Sequence, residues 1–274
     1  MNYIELKVNL SEDQLNRELM VYELGELGYE SFQEYNEYLS AFIIENLFKE
    51  SHLKLIESRF GDAIFKIEKI VHKADNWNKI WEDNFHPVIV NEDCVIRASF
   101  HSIPSVKYDI LINPDMTFGT GHHETTLLMA KQLFKENFKA MDILDMGTGT
   151  GILAIICSLL SARNICAVDI DERAVKNTIK NIEMNGIENI SVNKGDSAII
   201  KDGSFHFILA NINKNILLKD MQTFSSVLKV NGKILLSGFL INDKDDLIEE
   251  GKKNGLKFVE NIELNNWSLL ILSK

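Results

Sequence analysis

Residues 143–154 read Ile143-Leu144-Asp145-Met146-Gly147-Thr148-Gly149-Thr150-Gly151-Ile152-Leu153-Ala154. An apolar run meets three glycines at alternate positions and continues into a second apolar run. The pattern predicts strand, loop and helix, with glycine backbone at the helix start where a ligand can come close. The dinucleotide pattern G-x-G-x-x-G, counted from Gly147, needs glycine at position 152, where Ile152 stands. The spacing G-x-G-x-G therefore points to a nucleotide-type site and against a nicotinamide-dependent enzyme.

Downstream, Ala167-Val168-Asp169-Ile170-Asp171 ends the next predicted strand with an acid 22 residues after Gly147. A carboxylate at that strand tip can accept hydrogen bonds from both hydroxyls of a ribose, and Asp169 fits. Asp171 is the expected N-cap of a helix over 172–185, which Gly186 would end. With the glycine loop, Asp169 predicts an adenosine-binding half-site. After the third strand, Gly195-Asp196-Ser197 reads either as an acid within reach of an adenine amino group or as a plain turn. At the end of the fourth, Leu209-Ala210-Asn211-Ile212-Asn213 places Asn211 at the ligand-binding edge of the sheet, where its carbonyl could accept from an amine. Asn213 suits a helix cap.

Around these sites, short β-rich runs lie at 142–146, 165–169, 190–193, 205–210, 233–237 and 258–264, with amphipathic stretches between them. Such alternation predicts an α/β domain built on a mainly parallel sheet covered on both faces. A last run at 267–272 follows 258–264 after only Asn265-Asn266, which signals an antiparallel hairpin at the sheet's end.

Upstream lies Asn113-Pro114-Asp115-Met116-Thr117-Phe118-Gly119-Thr120-Gly121-His122-His123-Glu124-Thr125-Thr126, a glycine-bearing loop that should open a helix over 125–138. Its His-His-Glu run lacks both the one-face spacing and the further ligands of a zinc site, so no metal is predicted. The first 72 residues read β-α-β-β-α-β, the order of a ferredoxin-like module, with Ser11 to Gln14 as a capping box and Gly28 as a helix stop. That module carries no catalytic constellation. Residues 75–85 read as a short connecting helix ended by His86-Pro87.

The chain has 274 residues, 45% of them apolar, and a net charge of −11. The length suggests about two domains. No run reaches the roughly 18 residues of a membrane span, and the N-terminus has no secretory pattern. Three cysteines, Cys94, Cys157 and Cys166, with no CxxC spacing, suit a reduced, cytoplasmic setting. The acidic balance argues against broad contact with nucleic acid, which relies on Lys and Arg at phosphates, and permits a basic partner.

These stretches carry a resemblance. The loop NPDMTFGTGHHETT (113–126), the run ILDMGTGTGILAI (143–155), VDIDERAV (168–175), ANIN (210–213) and the connector NWNKIWEDNFHP (76–87) are similar to segments of the PrmA family. Those enzymes are S-adenosylmethionine-dependent methyltransferases acting on the eleventh protein of the large ribosomal subunit. The FGTGHHETT loop is the most specific of these segments.

The resemblance implies a class I methyltransferase fold, Rossmann-like and seven-stranded, over 87–274. It implies a substrate-recognition domain over 1–72 and a linker helix over 73–86. It implies S-adenosyl-L-methionine as cofactor, with Thr126, Gly147, Asp169 and Asn211 among its contacts; Gly149, Gly151 and Asp196 join them on the readings above. Methylation of lysine ε-amino and α-amino groups is the implied activity, with Asn211 and Phe118 as candidates for orienting the amine. A monomer with a basic ribosomal-protein substrate and no nucleic-acid substrate is expected.

Two other readings use the same core. Nucleic-acid amine methyltransferases carry Asn/Asp-Pro-Pro-aromatic after the fourth strand, where the aromatic stacks on a flipped base. Asn211-Ile212-Asn213 has neither proline nor aromatic. A non-catalytic assembly factor that keeps the fold is distinguished by failure to bind the cofactor.

Overall fold

A computed structural model describes all residues except 1, 11–13, 36–37, 73–84, 114–118 and 201–202. The chain divides into two compact units, Met1–His86 and Pro87–Lys274. The Ser11 capping box and the connector helix lie outside the described residues, apart from Gln14 and residues 85–86.

The first unit is an antiparallel sheet with two helices. Its elements are β1 (Tyr3–Leu10), α1 (Gln14–Glu26), β2 (Ser31–Glu34), β3 (Tyr38–Ile44), α2 (Glu50–Phe60) and β4 (Ile64–His72). The strand order β2-β3-β1-β4 is that of a ferredoxin-like fold. Along β1 the even-numbered residues Ile4, Leu6, Val8 and Leu10 are buried, as period-two alternation requires of a half-covered sheet. They pack with Met20 and Leu24 of α1 and Ile56 of α2. Gly28 takes φ 91°, the left-handed conformation in which the chain leaves α1.

The second unit begins with a three-stranded sheet. The hairpin β5 (Val88–Asn91) and β6 (Cys94–Arg97) is extended by β7 (Tyr108–Leu111), parallel to β6. Arg97 Nε and Nη2 donate to the two carboxylate oxygens of Asp109 at 2.6 and 2.7 Å, a fork that joins β6 to β7.

After α3 (Glu124–Leu133), the main sheet collects β8 (Asp142–Met146), β9 (Asn164–Asp169), β10 (Ile190–Lys194), β11 (Phe205–Asn211), β12 (Leu228–Leu240), β13 (Lys257–Leu264) and β14 (Trp267–Ser273). Helices α4 (Ile152–Leu159), α5 (Glu172–Met184), α6 (Lys214–Val227) and α7 (Lys244–Lys253) connect them. The order is β10-β9-β8-β11-β12-β14-β13. The strands from β10 to β12 pair in parallel, and β14 pairs antiparallel with both its neighbours. Successive strands are added outward in one direction from β8 to β10 and in the other from β11 onward, so the carboxyl ends of β8, β9 and β11 open onto a crevice suited to a ligand.

One core face packs Ile143 and Leu209 against α4, and the other packs Leu144, Ile208 and Leu236 against Leu217, Met221 and Phe224 of α6. This is the mainly parallel, seven-stranded α/β sheet that the resemblance implies. Four details differ from the sequence reading. Between β10 and β11 the described residues hold only a 3-10 turn, Ser197–Ile200, because ten residues leave no room for a covering helix. Helix α3 stops at Leu133, short of residue 138. Strand β12 runs from Leu228 to Leu240, longer than its apolar centre. The antiparallel strand β14 is inserted beside β12, which leaves β13 at the edge.

Candidate active site

The three glycines between β8 and α4 adopt positive φ: 74° at Gly147, 58° at Gly149 and 81° at Gly151. These are left-handed conformations that a Cβ disfavours by about 1–2 kcal/mol per residue. A Cβ at Gly147 would also stand 2.2 Å from Cγ2 of Ile212, and one at Gly151 2.7 Å from Cγ2 of Thr178. The loop therefore needs glycine for its backbone and for its neighbours alike. Gly151 is the N-cap residue of α4, so the loop runs straight into the positive end of that helix's dipole.

Beneath the loop, Asp145 is fully buried. Its Oδ2 accepts from the Thr148 hydroxyl at 2.7 Å, and Oδ1 has no hydrogen-bond partner among the described residues. Burial pushes its pKa up to about 6, against the downward pull of the Thr148 hydroxyl and the Ala154 backbone amide.

Asp169 ends β9. Its Oδ2 accepts from the Gly149 amide at 3.0 Å and its Oδ1 from the Asp171 amide at 2.9 Å. Each oxygen keeps a second lone pair for a ligand hydroxyl. Asp171 caps α5 by accepting from the Arg173 amide at 2.8 Å. Asp196 accepts from the Ala198 amide at 2.9 Å, so the plain-turn reading holds for Oδ1. The residue still lines a cavity of 540 Å³ together with Gly147, Gly149, Asp169 and Asn211. Ile170, Ile216, Lys219 and Asp220 line it too, and the sequence reading did not single them out. Ile170 is 67% exposed, an apolar lip beside the acid that precedes it.

Asn211, at the tip of β11, reaches across to α3. Its Nδ2 donates to Oγ1 of Thr126 at 3.2 Å, while its buried Oδ1 has no partner among the described residues. Asn213 caps α6 through the Ile216 amide at 3.2 Å. Thr126 sits in the first turn of α3, which His123 caps by accepting from the Thr125 amide at 3.3 Å. The His123 ring meets Trp267 edge-on at 4.7 Å, and Glu124 accepts from Asn265 at 3.1 Å. The His-His-Glu run thus fastens the start of α3 to the β13–β14 hairpin. Phe118 lies outside the described residues.

The glycine loop, the acid 22 residues on and the Thr126–Asn211 pair therefore gather at one end of one sheet. Against known proteins, the family model described as "Ribosomal protein L11 methyltransferase (PrmA)" matches residues 6–274. The chain belongs to that family. A ribosomal protein L11 methyltransferase of Bacteroides fragilis is 42% identical over 250 residues, 89% of each chain. One of Porphyromonas gingivalis is 38% identical over 281 residues, covering 98% of this chain and 97% of the relative. A crystal structure of a ribosomal protein L11 methylase from Lactobacillus delbrueckii subsp. bulgaricus superposes with a TM-score of 0.64 at 26% identity, over 69% of this chain and 99% of the other.

The donor set of this PrmA-family chain fits an adenosine-bearing sulfonium cofactor. Positive-φ glycines leave backbone open to close approach, Asp169 offers acceptors for vicinal hydroxyls, and Asn211 Oδ1 is a buried acceptor in need of a donor.

Proposed function

We propose that the protein is an S-adenosyl-L-methionine-dependent N-methyltransferase acting on amino groups of the large-subunit ribosomal protein L11. The observation that carries this reading is the unpartnered Oδ1 of Asn211 beside the cavity, held in place by Thr126. Family membership supplies the reaction class.

The bound cofactor supplies an already activated methyl group on a sulfonium sulfur. The chain's task is then alignment, which alone supports large accelerations. Gly147, Gly149 and Gly151 receive the cofactor along the loop, Asp169 takes its ribose hydroxyls, and Asp196 stands at the adenine end. Asn211 Oδ1 accepts an N–H of the incoming amine. An amine attacks only when neutral, and a lysine has a reference pKa of about 10.4. A neutral amide carbonyl suits that task better than a carboxylate would, because a carboxylate stabilises the ammonium form.

The first unit serves as the substrate-docking module. Residues 1–86 hold 17 of the 40 carboxylates and nine of the 29 cations, so a net −8 of the total −11 falls on less than a third of the chain. An acidic module favours encounter with a basic protein, and such steering weakens with salt. No helix among the described residues is long and apolar enough to cross a membrane.

Mass spectrometry of ribosomal protein L11 incubated with the enzyme and S-adenosylmethionine tests the activity. Mass gains of whole methyl groups on lysine or α-amino nitrogen are expected. Transfer to ribosomal RNA and not to protein, in the same assay with a labelled methyl group, overturns the reading. Rising ionic strength should raise KM for the intact protein while leaving cofactor affinity unchanged; a salt-independent KM removes the docking role.

A further inference from the structure

Helix α5 carries a face that the cofactor reading does not use. Asn177, Asn181 and Asn185 recur every four residues and so share one side, with Thr178 beside them. Asparagine is a poor helix former, and polar residues are seldom fully buried. Yet Asn177 is 4% exposed, and Thr178 and Asn181 are completely buried. Several of their side-chain hydrogen bonds leave the helix.

Asn185 makes a two-way pair with Leu111, accepting from its amide at 3.0 Å and donating to its carbonyl at 2.7 Å. Asn181 accepts from the Asn113 amide at 2.8 Å and donates to the Thr150 carbonyl at 2.8 Å. Thr178 donates to the Gly149 carbonyl at 2.8 Å. Thr150, also completely buried, donates from its hydroxyl to the Gly119 carbonyl at 2.6 Å. Asn113 and Gly119 are the two flanks of residues 114–118, and Gly119 leads into the helix that carries Thr126.

One connected path therefore runs from the Asn113 amide through the Asn181 side chain to the backbone of Thr150, and from the Thr150 hydroxyl to Gly119. We infer that Asn181 and Thr150 form a clasp that holds both flanks of the 114–118 segment to the cofactor loop, and so positions the Thr126–Asn211 pair for methyl transfer. Both are positioning residues. Neither lines the cavity. Simple docking of a loop onto a helix would be met by the Asn185–Leu111 pair, which lies away from the glycines. The clasp differs in using the carbonyl and the side chain of Thr150, a residue of the glycine loop itself. Buried networks of this kind act as units, so loosening one end is felt at the other. The inference rests on the methyltransferase reading above.

The test compares Thr150→Val, which removes the hydroxyl, with Thr150→Ser, which keeps it. In the full-length protein, Thr150→Val should lower kcat on the ribosomal protein by about tenfold or more, as displacement of reacting groups by a fraction of an ångström predicts. Its Kd for S-adenosylmethionine, by calorimetry, should stay within about threefold, a small change beside one lost hydrogen bond at the ligand. Thr150→Ser should restore kcat. Hydrogen exchange supplies a readout independent of turnover. The Asn113 amide should exchange faster in Thr150→Val, although Thr150 does not touch it, and at the native rate in Thr150→Ser.

Unchanged kcat and unchanged exchange at Asn113 overturn the clasp. So does a loss of cofactor affinity that matches the loss of kcat and tracks a fall in Tm, because Thr150 would then be an ordinary packing residue. If the wild-type enzyme itself transfers no methyl group to the ribosomal protein, the substrate reading fails, while exchange at Asn113 still decides the clasp.

Discussion

Asn211 Nδ2 donates to Thr126 Oγ1 across 3.2 Å, and the two residues stand 85 positions apart. The bond ties the tip of β11 to the first turn of α3, an element that precedes the whole parallel sheet. It also fixes which way the asparagine faces. With Nδ2 engaged by the threonine, Oδ1 is the atom left for a ligand, and it is buried without a partner among the described residues. Thr126 thus acts by holding Asn211 in one orientation.

The sharpest consequence concerns pH. Asn211→Asp keeps the shape and replaces a neutral acceptor by a carboxylate. A carboxylate within contact distance favours the ammonium form of the bound amine, raising its pKa by about one unit or more. The pH–rate profile of kcat should therefore shift to higher pH, with activity that is poor at neutrality and recovers in alkaline buffer. Asn211→Ala should lower kcat by about a hundredfold, comparable to losing a preorganised group elsewhere, with no such shift. A profile for Asn211→Asp that overlays the wild type removes Asn211 from contact with the amine.

A second prediction separates two demands on Gly147. Its φ of 74° disfavours any side chain, and a Cβ there meets Cγ2 of Ile212 at 2.2 Å. Gly147→Ala should abolish measurable cofactor binding by calorimetry. Adding Ile212→Ala removes the collision and leaves the backbone strain, about 1–2 kcal/mol. The double variant should recover binding in part, roughly tenfold weaker than wild type for each 1.4 kcal/mol of remaining strain. Native affinity in Gly147→Ala alone contradicts the assignment of the loop to the cofactor.

Asp169 gives a third. Its two oxygens hold the Gly149 and Asp171 amides, and the ribose hydroxyls are assigned to the same carboxylate. Hydrogen bonds to a charged group contribute about 1.5–3 kcal/mol each. Asp169→Ala should weaken S-adenosylmethionine binding by at least tenfold, measured by calorimetry. Asp171→Ala loses the helix cap and an exposed ion pair with Arg173 but keeps the backbone amide that Asp169 holds, so it should leave affinity within about threefold of wild type and lower Tm by a few degrees. Equal affinities in the two variants reject the ribose role.

Much of this was legible in the sequence because it is local. Glycines at 147, 149 and 151, the acid at 169 and the caps at Asp171 and Asn213 all act within a few residues of themselves. The alternation of strands and helices along the chain followed from the spacing of short apolar runs. What remained hidden depends on partners far along the chain. Nothing adjacent to Thr126 announces Asn211, and Ile212 gives no local sign that it presses on Gly147. The asparagines at 177, 181 and 185 did carry a signal, a polar stripe at helical spacing on a helix that should bury apolar residues. Its meaning needs the positions of Leu111, Asn113 and Thr150. The insertion of β14 beside β12 is a choice between two edges of one sheet, and residue pattern alone does not distinguish them.

The last prediction uses Asp145 under the glycine loop. Its folded pKa is raised to about 6 by burial, against about 3.9 in an unfolded chain. The folded state therefore binds its proton more tightly than the unfolded state does. Stability owed to this group is complete below about pH 4, falls as pH rises through the window between the two values, and stays reduced above it. Asp145→Asn carries no titrating group. Whatever the amide gains or loses against Thr148 and the unpartnered site, that effect is independent of pH in this range. The difference in unfolding free energy between variant and wild type should then move in favour of the variant by about 2 kcal/mol from pH 4.5 to pH 7.5, read from urea denaturation at the two pH values. Asp142, whose carboxylate is held below the usual range by Arg163, is common to both proteins and cancels in the difference. A difference that stays constant with pH means that the Asp145 carboxylate is ionised throughout, and that its buried oxygen has found a donor.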